Sequence, residues 1–269
     1  MNTGVVGIGS MGGMLIRAFL RSEALAPKDI WATNRSPQKL DALLADFPGI
    51  HVASRSQLAA RCDLIFLCVG TADTATALAM MEAELHSGQL LVSTAAAVPM
   101  KILESRVPCR VAKLIPSVTQ EIGSGIALLL YGSRVTTDDR KLLEDLLGRI
   151  RQPVAITESL ARPAIGLTSG GPALLAYLLQ SMVEQAVQSN PELSPELAGK
   201  LVKETAGATM RLITEANMAS EEIIRRVAVP GGMTALAVEI LSRYVPEAWK
   251  TVFRETAERE ARASESLVL

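Results

Sequence analysis

The sequence predicts an α/β fold: a doubly wound, mainly parallel sheet in residues 1–157, followed by an all-helical domain in residues 158–269. Three observations carry this. Strand-like and helix-like segments alternate through the first part, the pattern of a parallel sheet with helices on both faces. The opening apolar run breaks into Gly7-x-Gly9-x-x-Gly12 where a first strand should turn into a first helix. From about Glu158 onward, strand-like runs vanish and long helical patterns take over. A chain of 269 residues with 49% hydrophobic and 20% charged residues has the material for two folded domains.

The first strand is expected at Gly4–Ile8, where Val5, Val6 and Ile8 suit burial. Met11, Met14, Leu15, Ala18 and Phe19 follow at i, i+3, i+4, i+7 and i+8, the apolar stripe of a helix. Further strands are expected at Asp29–Thr33, Ile50–Ala53, Leu64–Val69, Gln89–Thr94, Arg110–Ile115, Gly125–Tyr131 and Pro153–Ile156. Helical stretches such as Ser36–Phe47 and Asp138–Ile150 lie between them. In the C-terminal part, helices are expected to break at Asn190-Pro191, near Asn217, at Pro230-Gly231-Gly232 and at Pro246. Residues Pro172–Val187 are apolar on almost every side, so this helix must be enclosed by protein. The domain is too small to surround it alone, which predicts a partner subunit, as a homodimer or a higher oligomer of dimers. The competing reading is the central helix of a monomeric bundle. Glu255–Glu260 reads as a solvated charged face.

Composition narrows the function. A net charge of −1, with no basic run, argues against nucleic acid as a partner. No apolar stretch approaches membrane-spanning length and no cleavable leader is evident, so a cytoplasmic protein is expected. Cys62, Cys68 and Cys109 are too few and too irregular for a disulfide framework or a metal site, and Cys68 reads as a small core residue. His51 and His86 stand in polar stretches without companions at ligand or triad spacing, so no metal is expected, and the chemistry should work without a histidine base unless the fold brings one of these two to the site.

The glycine fingerprint points to a dinucleotide. Gly7 permits the tight turn, Gly9 lets the backbone approach a pyrophosphate, and Gly12 lets helix and strand pack closely. The free N–H groups of the Gly7-Ile8-Gly9-Ser10-Met11-Gly12 elbow would hold the phosphates. The second strand runs into Asn34-Arg35-Ser36 and offers no carboxylate for the ribose hydroxyls. A guanidinium and a hydroxyl suit a 2′-phosphate, which favours NADP over NAD. The competing reading is that Ser36 caps the following helix and Arg35 is solvated.

Three blocks resemble the pyrroline-5-carboxylate reductase family. They are Gly7-Ile-Gly-Ser-Met-Gly12 with Asn34-Arg-Ser36; Val111-Ala-Lys-Leu-Ile-Pro-Ser117 running to Gly123-Ser-Gly125; and Ser169-Gly-Gly-Pro-Ala173 with Val229-Pro-Gly-Gly-Met-Thr234. The resemblance implies a Rossmann-type domain, an interlocked helical dimer, and NADPH-dependent reduction of a small cyclic imine, 1-pyrroline-5-carboxylate to proline. It also implies coenzyme contacts at Val69 and Gly70, a substrate cradle of Gly231, Gly232, Met233 and Thr234, and Thr234 as donor to the imine nitrogen. The chain departs from the family at Val69-Gly70-Thr71, Ser117, Val229, Met233, Arg162 and Gln180. These departures look more like the divergent branch encoded with late-competence genes in spore-forming bacteria.

Two other functions stay in view. The β-hydroxyacid dehydrogenases share the glycine pattern but need a lysine on the long helix after the nucleotide domain, and Pro172–Val187 has none. A paralogue that binds NADP(H) with a changed substrate, or a regulatory and non-catalytic role, would also account for the departures. Thr234 could equally be only the cap of the helix that begins there.

Overall fold

The computed structural model describes residues 1–150 and 152–265. The chain divides into two compact units, Met1–Gly170 with the residues from Glu258 on, and Gly171–Ala257.

The first unit runs β1 (Thr3–Val6), α1 (Ser10–Arg21), β2 (Ile30–Thr33), α2 (Pro37–Asp46), β3 (His51–Val52), α3 (Arg55–Arg61), β4 (Leu64–Leu67), α4 (Thr74–Ala79), β5 (Leu90–Ser93), α5 (Met100–Arg106), β6 (Arg110–Ile115), β7 (Ile126–Tyr131), α6 (Thr137–Gly148), β8 (Gln152–Ala155) and α7 (Glu158–Leu167). Among the described residues, eight strands form one sheet in the order β3-β2-β1-β4-β5-β6-β7-β8, and only the β6–β7 pair is antiparallel. All eight expected strands are present, most of them shorter than their apolar runs. The chain leaves the ladder as it enters the loops; the Ile8 N–H, for instance, donates to the Asn34 side chain.

Alternate residues of each strand feed opposite faces of the sheet, because a strand repeats every two residues. Val5, Leu64, Phe66, Leu90, Val92 and Leu114 join one core with α1, α2 and α6. Val6, Ile65, Leu67, Leu91, Val111 and Ile115 join the other with α3, α4 and α5. Both faces are covered, so the strands read as continuous apolar runs. Local signals fix the helix starts. Ser54 and Gln57 form a capping box at α3, and Thr136 and Asp139 form one at α6, satisfying backbone donors that a helix leaves unpaired.

The second unit holds α8 (Gly171–Ser189), α9 (Pro195–Thr214), α10 (Ser220–Val227) and most of α11 (Met233–Glu265). The chain breaks as expected after Ser189, around Asn217 (φ 50°) and at Pro230-Gly231-Gly232. It does not break at Pro246. A proline removes one helical hydrogen bond and crowds the carbonyl four residues earlier. Here α11 continues through it, so regular turns on either side override the local stop signal. Helix α7, placed by composition with the helical domain, belongs to the first unit. Its Ala161, Ala164 and Ile165 pack against the core that contains α5.

Among residues 171–257, Gly171 and Ala198 alone are buried. Leu175, Leu178, Leu179 and Met182 of α8 are all exposed in the single chain. No helix among the described residues is long and apolar enough to cross a membrane.

Candidate functional site

The elbow between β1 and α1 is built for close packing on one side and open space on the other. Gly7 has φ 94°, and a Cβ there would lie 2.5 Å from the Cys68 carbonyl oxygen. A Cβ on Gly12 would lie 2.0 Å from the Gly7 carbonyl oxygen. These two glycines bring strand, turn and helix together. A Cβ on Gly9 would meet nothing within 4 Å, so that position faces open space. Gly9 is the N-cap of α1 and no side chain caps the helix. The first N–H groups of α1 therefore face outward and could hold an anion there. The elbow is pinned from both sides: Gly7 N–H donates to Thr33 O at 2.9 Å, and Cys68 N–H donates to Val6 O at 2.8 Å.

Asn34 is a brace of that elbow. Its Oδ1 accepts the Ile8 N–H at 2.9 Å and its Nδ2 donates to Ser36 O at 3.0 Å. Both polar ends of the side chain are thus engaged by the protein, which the spacing did not reveal. Ser36 sits at the N-cap of α2, but its hydroxyl does not cap the helix and instead donates to Gln38 Oε1 at 2.7 Å. The capping alternative for Ser36 therefore fails. Arg35 is exposed and has no hydrogen bond or ion pair among the described residues. Val69 and Gly70 follow β4, beside β1 in the sheet, so the elbow, Asn34–Ser36 and Val69–Gly70 all stand at carboxyl ends of adjacent strands. The strand order reverses at β1, and a doubly wound sheet binds its ligands at that crevice. A cleft of about 710 Å³ opens beside the elbow, lined by Gly9, Ser10 and Met14 on one side and Gln120, Glu121 and Ile122 on the other.

Gly231, Gly232, Met233 and Thr234 lie in the second unit. Val229 O accepts the Gly232 N–H at 3.0 Å, and Gly231, with φ 76°, follows Pro230. Proline followed by a positive-φ glycine is the signature of a type II turn. Leu236 N–H donates to Gly232 O, so Gly232 is the residue before the first turn of α11. Thr234 lies inside the helix and cannot be its cap, which removes that alternative. Its hydroxyl is exposed and has no hydrogen-bond partner among the described residues. Met233 beside it is 81% exposed.

The three cysteines bring no activated nucleophile to these groups. Burial pushes the Cys62 and Cys68 thiols up to about 12 and raises Cys109 as well, so none offers a thiolate near neutrality. His51 stacks on Trp31 and its Nε2 is 3.1 Å from Lys28 O; His86 accepts the Gly88 N–H. Both sit in exposed positions. Among the described residues, no group of three His, Cys, Asp or Glu could hold a metal ion.

Two features escaped the sequence reading. Ser117 is buried and its Oγ donates to Thr168 O, while Ser169 Oγ donates to Pro116 O, so the β6 end and the residues after α7 clasp each other. Lys113 is buried in the middle of β6. Its signal was a single charge inside an apolar strand run.

Comparison with known proteins gives the following. Residues 2–97 match the family model described as NADP oxidoreductase coenzyme F420-dependent, and residues 158–263 match the one described as pyrroline-5-carboxylate reductase dimerisation. The chain is 30% identical to ComE operon protein 4 of Bacillus subtilis, over 95% of this chain and 94% of that protein. It is 28% identical to pyrroline-5-carboxylate reductase 3 of the same organism, over 94% and 93%. The fold is similar to the crystal structure of Plasmodium falciparum pyrroline carboxylate reductase with NADP bound, with a TM-score of 0.83 at 20% identity, covering 99% of this chain and 97% of that one.

Proposed function

Since the chain belongs to the pyrroline-5-carboxylate reductase family, we propose that it is an NADPH-dependent reductase of a small cyclic imine, with 1-pyrroline-5-carboxylate as substrate and proline as product. The observation that carries this reading is the elbow: an uncapped helix start, open space at Gly9, and an unpaired Arg35 at the end of the neighbouring strand. These residues fit a phosphorylated dinucleotide. The outward N–H groups of α1 would hold the pyrophosphate and Arg35 the 2′-phosphate, a charge-assisted contact that NADH cannot make. We therefore expect Arg35→Ala to weaken NADPH binding about 30-fold, roughly 2 kcal/mol, and to leave NADH nearly unchanged. Fluorescence titration of both coenzymes checks this; equal losses would remove Arg35 from the phosphate.

When bound, the reduced coenzyme supplies the hydride equivalent for the C=N carbon. The chain's own task is to bind and orient. The N–H groups of Met233, Thr234 and Ala235, first in α11, would take the substrate carboxylate. The Thr234 hydroxyl would donate to the nitrogen of the neutral imine. If the protonated iminium is the species reduced, its N–H would instead donate to that hydroxyl oxygen, hydride addition gives the neutral amine directly, and no acid–base pair is needed. Met233, with no hydroxyl to offer, makes the cradle less polar, so a high KM for a small carboxylated imine, or a preference for a bulkier one, is expected.

A steady-state assay with NADPH and 1-pyrroline-5-carboxylate tests the reading. Turnover is expected, and Thr234→Ala should lower kcat about 10- to 100-fold, in the range of one lost hydrogen bond to the reacting group at roughly 1–3 kcal/mol. An unchanged rate would leave Thr234 without a chemical role. Tight NADPH binding with no oxidation across a panel of cyclic imines would leave a coenzyme-binding protein that is not a reductase. The exposed apolar helices of the second unit support assembly as a homodimer through that unit.

A further inference from the structure

Lys113 is 2% exposed, a charged residue at a position where the neighbouring side chains are apolar. Its Nζ donates to Ala96 O and Val98 O, each at 2.8 Å, and lies 3.8 Å from Glu158 Oε1. The same Glu158 oxygen accepts the Met100 N–H at 2.8 Å. One ammonium therefore ties the loop between β5 and α5 to the start of α7, and one carboxylate ties α7 to the start of α5.

That loop, residues 94–99, follows the carboxyl end of β5. Thr94 donates to Leu67 O through its N–H at 3.0 Å and approaches the same oxygen with its hydroxyl at 3.3 Å, so the loop abuts the end of β4 that leads to Val69 and Gly70. In the strand order β2-β1-β4-β5, Arg35 stands on one side of the elbow and this loop on the other. A dinucleotide whose 2′-phosphate meets Arg35 and whose pyrophosphate meets Gly9 must lay its nicotinamide half on the β4–β5 side.

We propose that Lys113 is a positioning residue that, with Glu158, holds the 94–99 loop in the shape that receives the nicotinamide half of the coenzyme. This rests on the coenzyme reading above. Space-filling alone does not call for a lysine, since an apolar side chain of like volume usually serves a core position as well as a buried charge does, and Glu158 opposite it is half exposed. What a cation adds is two charge-assisted bonds that aim both carbonyls inward and fix the loop from behind. Burial lowers the lysine pKa and Glu158 opposes that shift. Two carbonyls and a carboxylate around Nζ leave only a donor's role there.

The test uses the full-length protein and two probes, NADPH and 2′,5′-ADP, which carries the phosphorylated adenosine end without the nicotinamide. Lys113→Met is expected to weaken NADPH about 10-fold and to leave 2′,5′-ADP within about twofold, because only the nicotinamide side is disturbed. Amide hydrogen exchange in residues 94–100 should speed up about 10-fold, and NADPH should no longer slow it. Lys113→Arg keeps a cation and its donors and should restore most of the NADPH affinity. Equal loss of both probes, or loss of neither, overturns the proposal. If Lys113→Met fails to fold, Glu158→Gln carries the test: it keeps an acceptor for Met100 and removes the charge facing Lys113. It should weaken NADPH selectively, about threefold; no selective loss overturns the proposal. Wild-type protein that binds neither probe would end the coenzyme reading itself, whereas wild-type binding with indifferent variants ends only the role of Lys113.

Discussion

Gly9→Ala is expected to leave the protein folded and to weaken NADPH binding about 100-fold. The backbone at Gly9 has φ −80° and ψ −162°, which alanine adopts without strain, and the added Cβ touches no protein atom within 4 Å. The folded chain therefore loses nothing, and the reduced freedom of the unfolded chain could add up to about 1 kcal/mol of stability. The methyl instead projects into the open space through which, on the proposed coenzyme reading, the pyrophosphate would reach the α1 N–H groups. Displacing even one or two charge-assisted bonds, at roughly 1.5–3 kcal/mol each, corresponds to a loss of about 100-fold. Gly12→Ala separates the two effects from the opposite direction. Its Cβ would lie 2.0 Å from a backbone oxygen that cannot swing away, so the elbow itself must move. That variant should lose thermal stability as well as coenzyme. Thermal melting with coenzyme titration checks both, and a Gly9→Ala protein with wild-type affinity would take the pyrophosphate away from this elbow.

The same elbow shows which parts of the site could be read from the sequence. Gly7 and Gly12 were legible because each is required by a local constraint, a positive φ and a helix packed against its own strand's turn, whereas the fold itself does not require a glycine at Gly9. The strands were legible for a similar reason, since a sheet covered on both faces imposes apolar runs on its strands. What the spacing could not supply were partners distant along the chain. Asn34 braces Ile8 across the elbow, Lys113 reaches carbonyls of another strand's loop, and Ser117 and Ser169 clasp through backbone oxygens at Thr168 and Pro116. Asn34 is expected beside the coenzyme, Lys113 and Ser169 stand inside motif blocks and Ser117 is a family departure, but none of these patterns names the partner each side chain holds. Pro246 shows the converse: a strong local stop signal that the long helix overrides. Thr234 shows a third case. Helix and turn were both expected, but whether the threonine capped the helix or stood inside it depended on the register of one hydrogen bond, Leu236 to Gly232.

The largest effect on assembly is expected from Leu178→Asp. Leu175, Leu178, Leu179 and Met182 fall at i, i+3, i+4 and i+7, on one face of α8, and the single chain leaves all four exposed. Tyr177, at 69%, is exposed as well. With Gly171 and Ala198 the only buried residues in the stretch 171–257, this unit has almost no core of its own. Each such side chain contributes about 1.5–3 kcal/mol when removed from water, and a two-fold interface counts every one twice. A handful of them is comparable to the roughly 5–15 kcal/mol that holds a typical domain together, so a second copy of the chain is expected to complete the unit. An aspartate at position 178 would have to carry its charge, unpaired, into the middle of that contact. The variant should lose the dimer in sedimentation, lose helical signal from the C-terminal unit, and retain the sheet. Wild-type protein should instead melt at a temperature that rises with its concentration, because assembly and folding are linked. A wild-type monomer at micromolar concentration, fully helical and with a concentration-independent Tm, would show that α8 is satisfied within one chain.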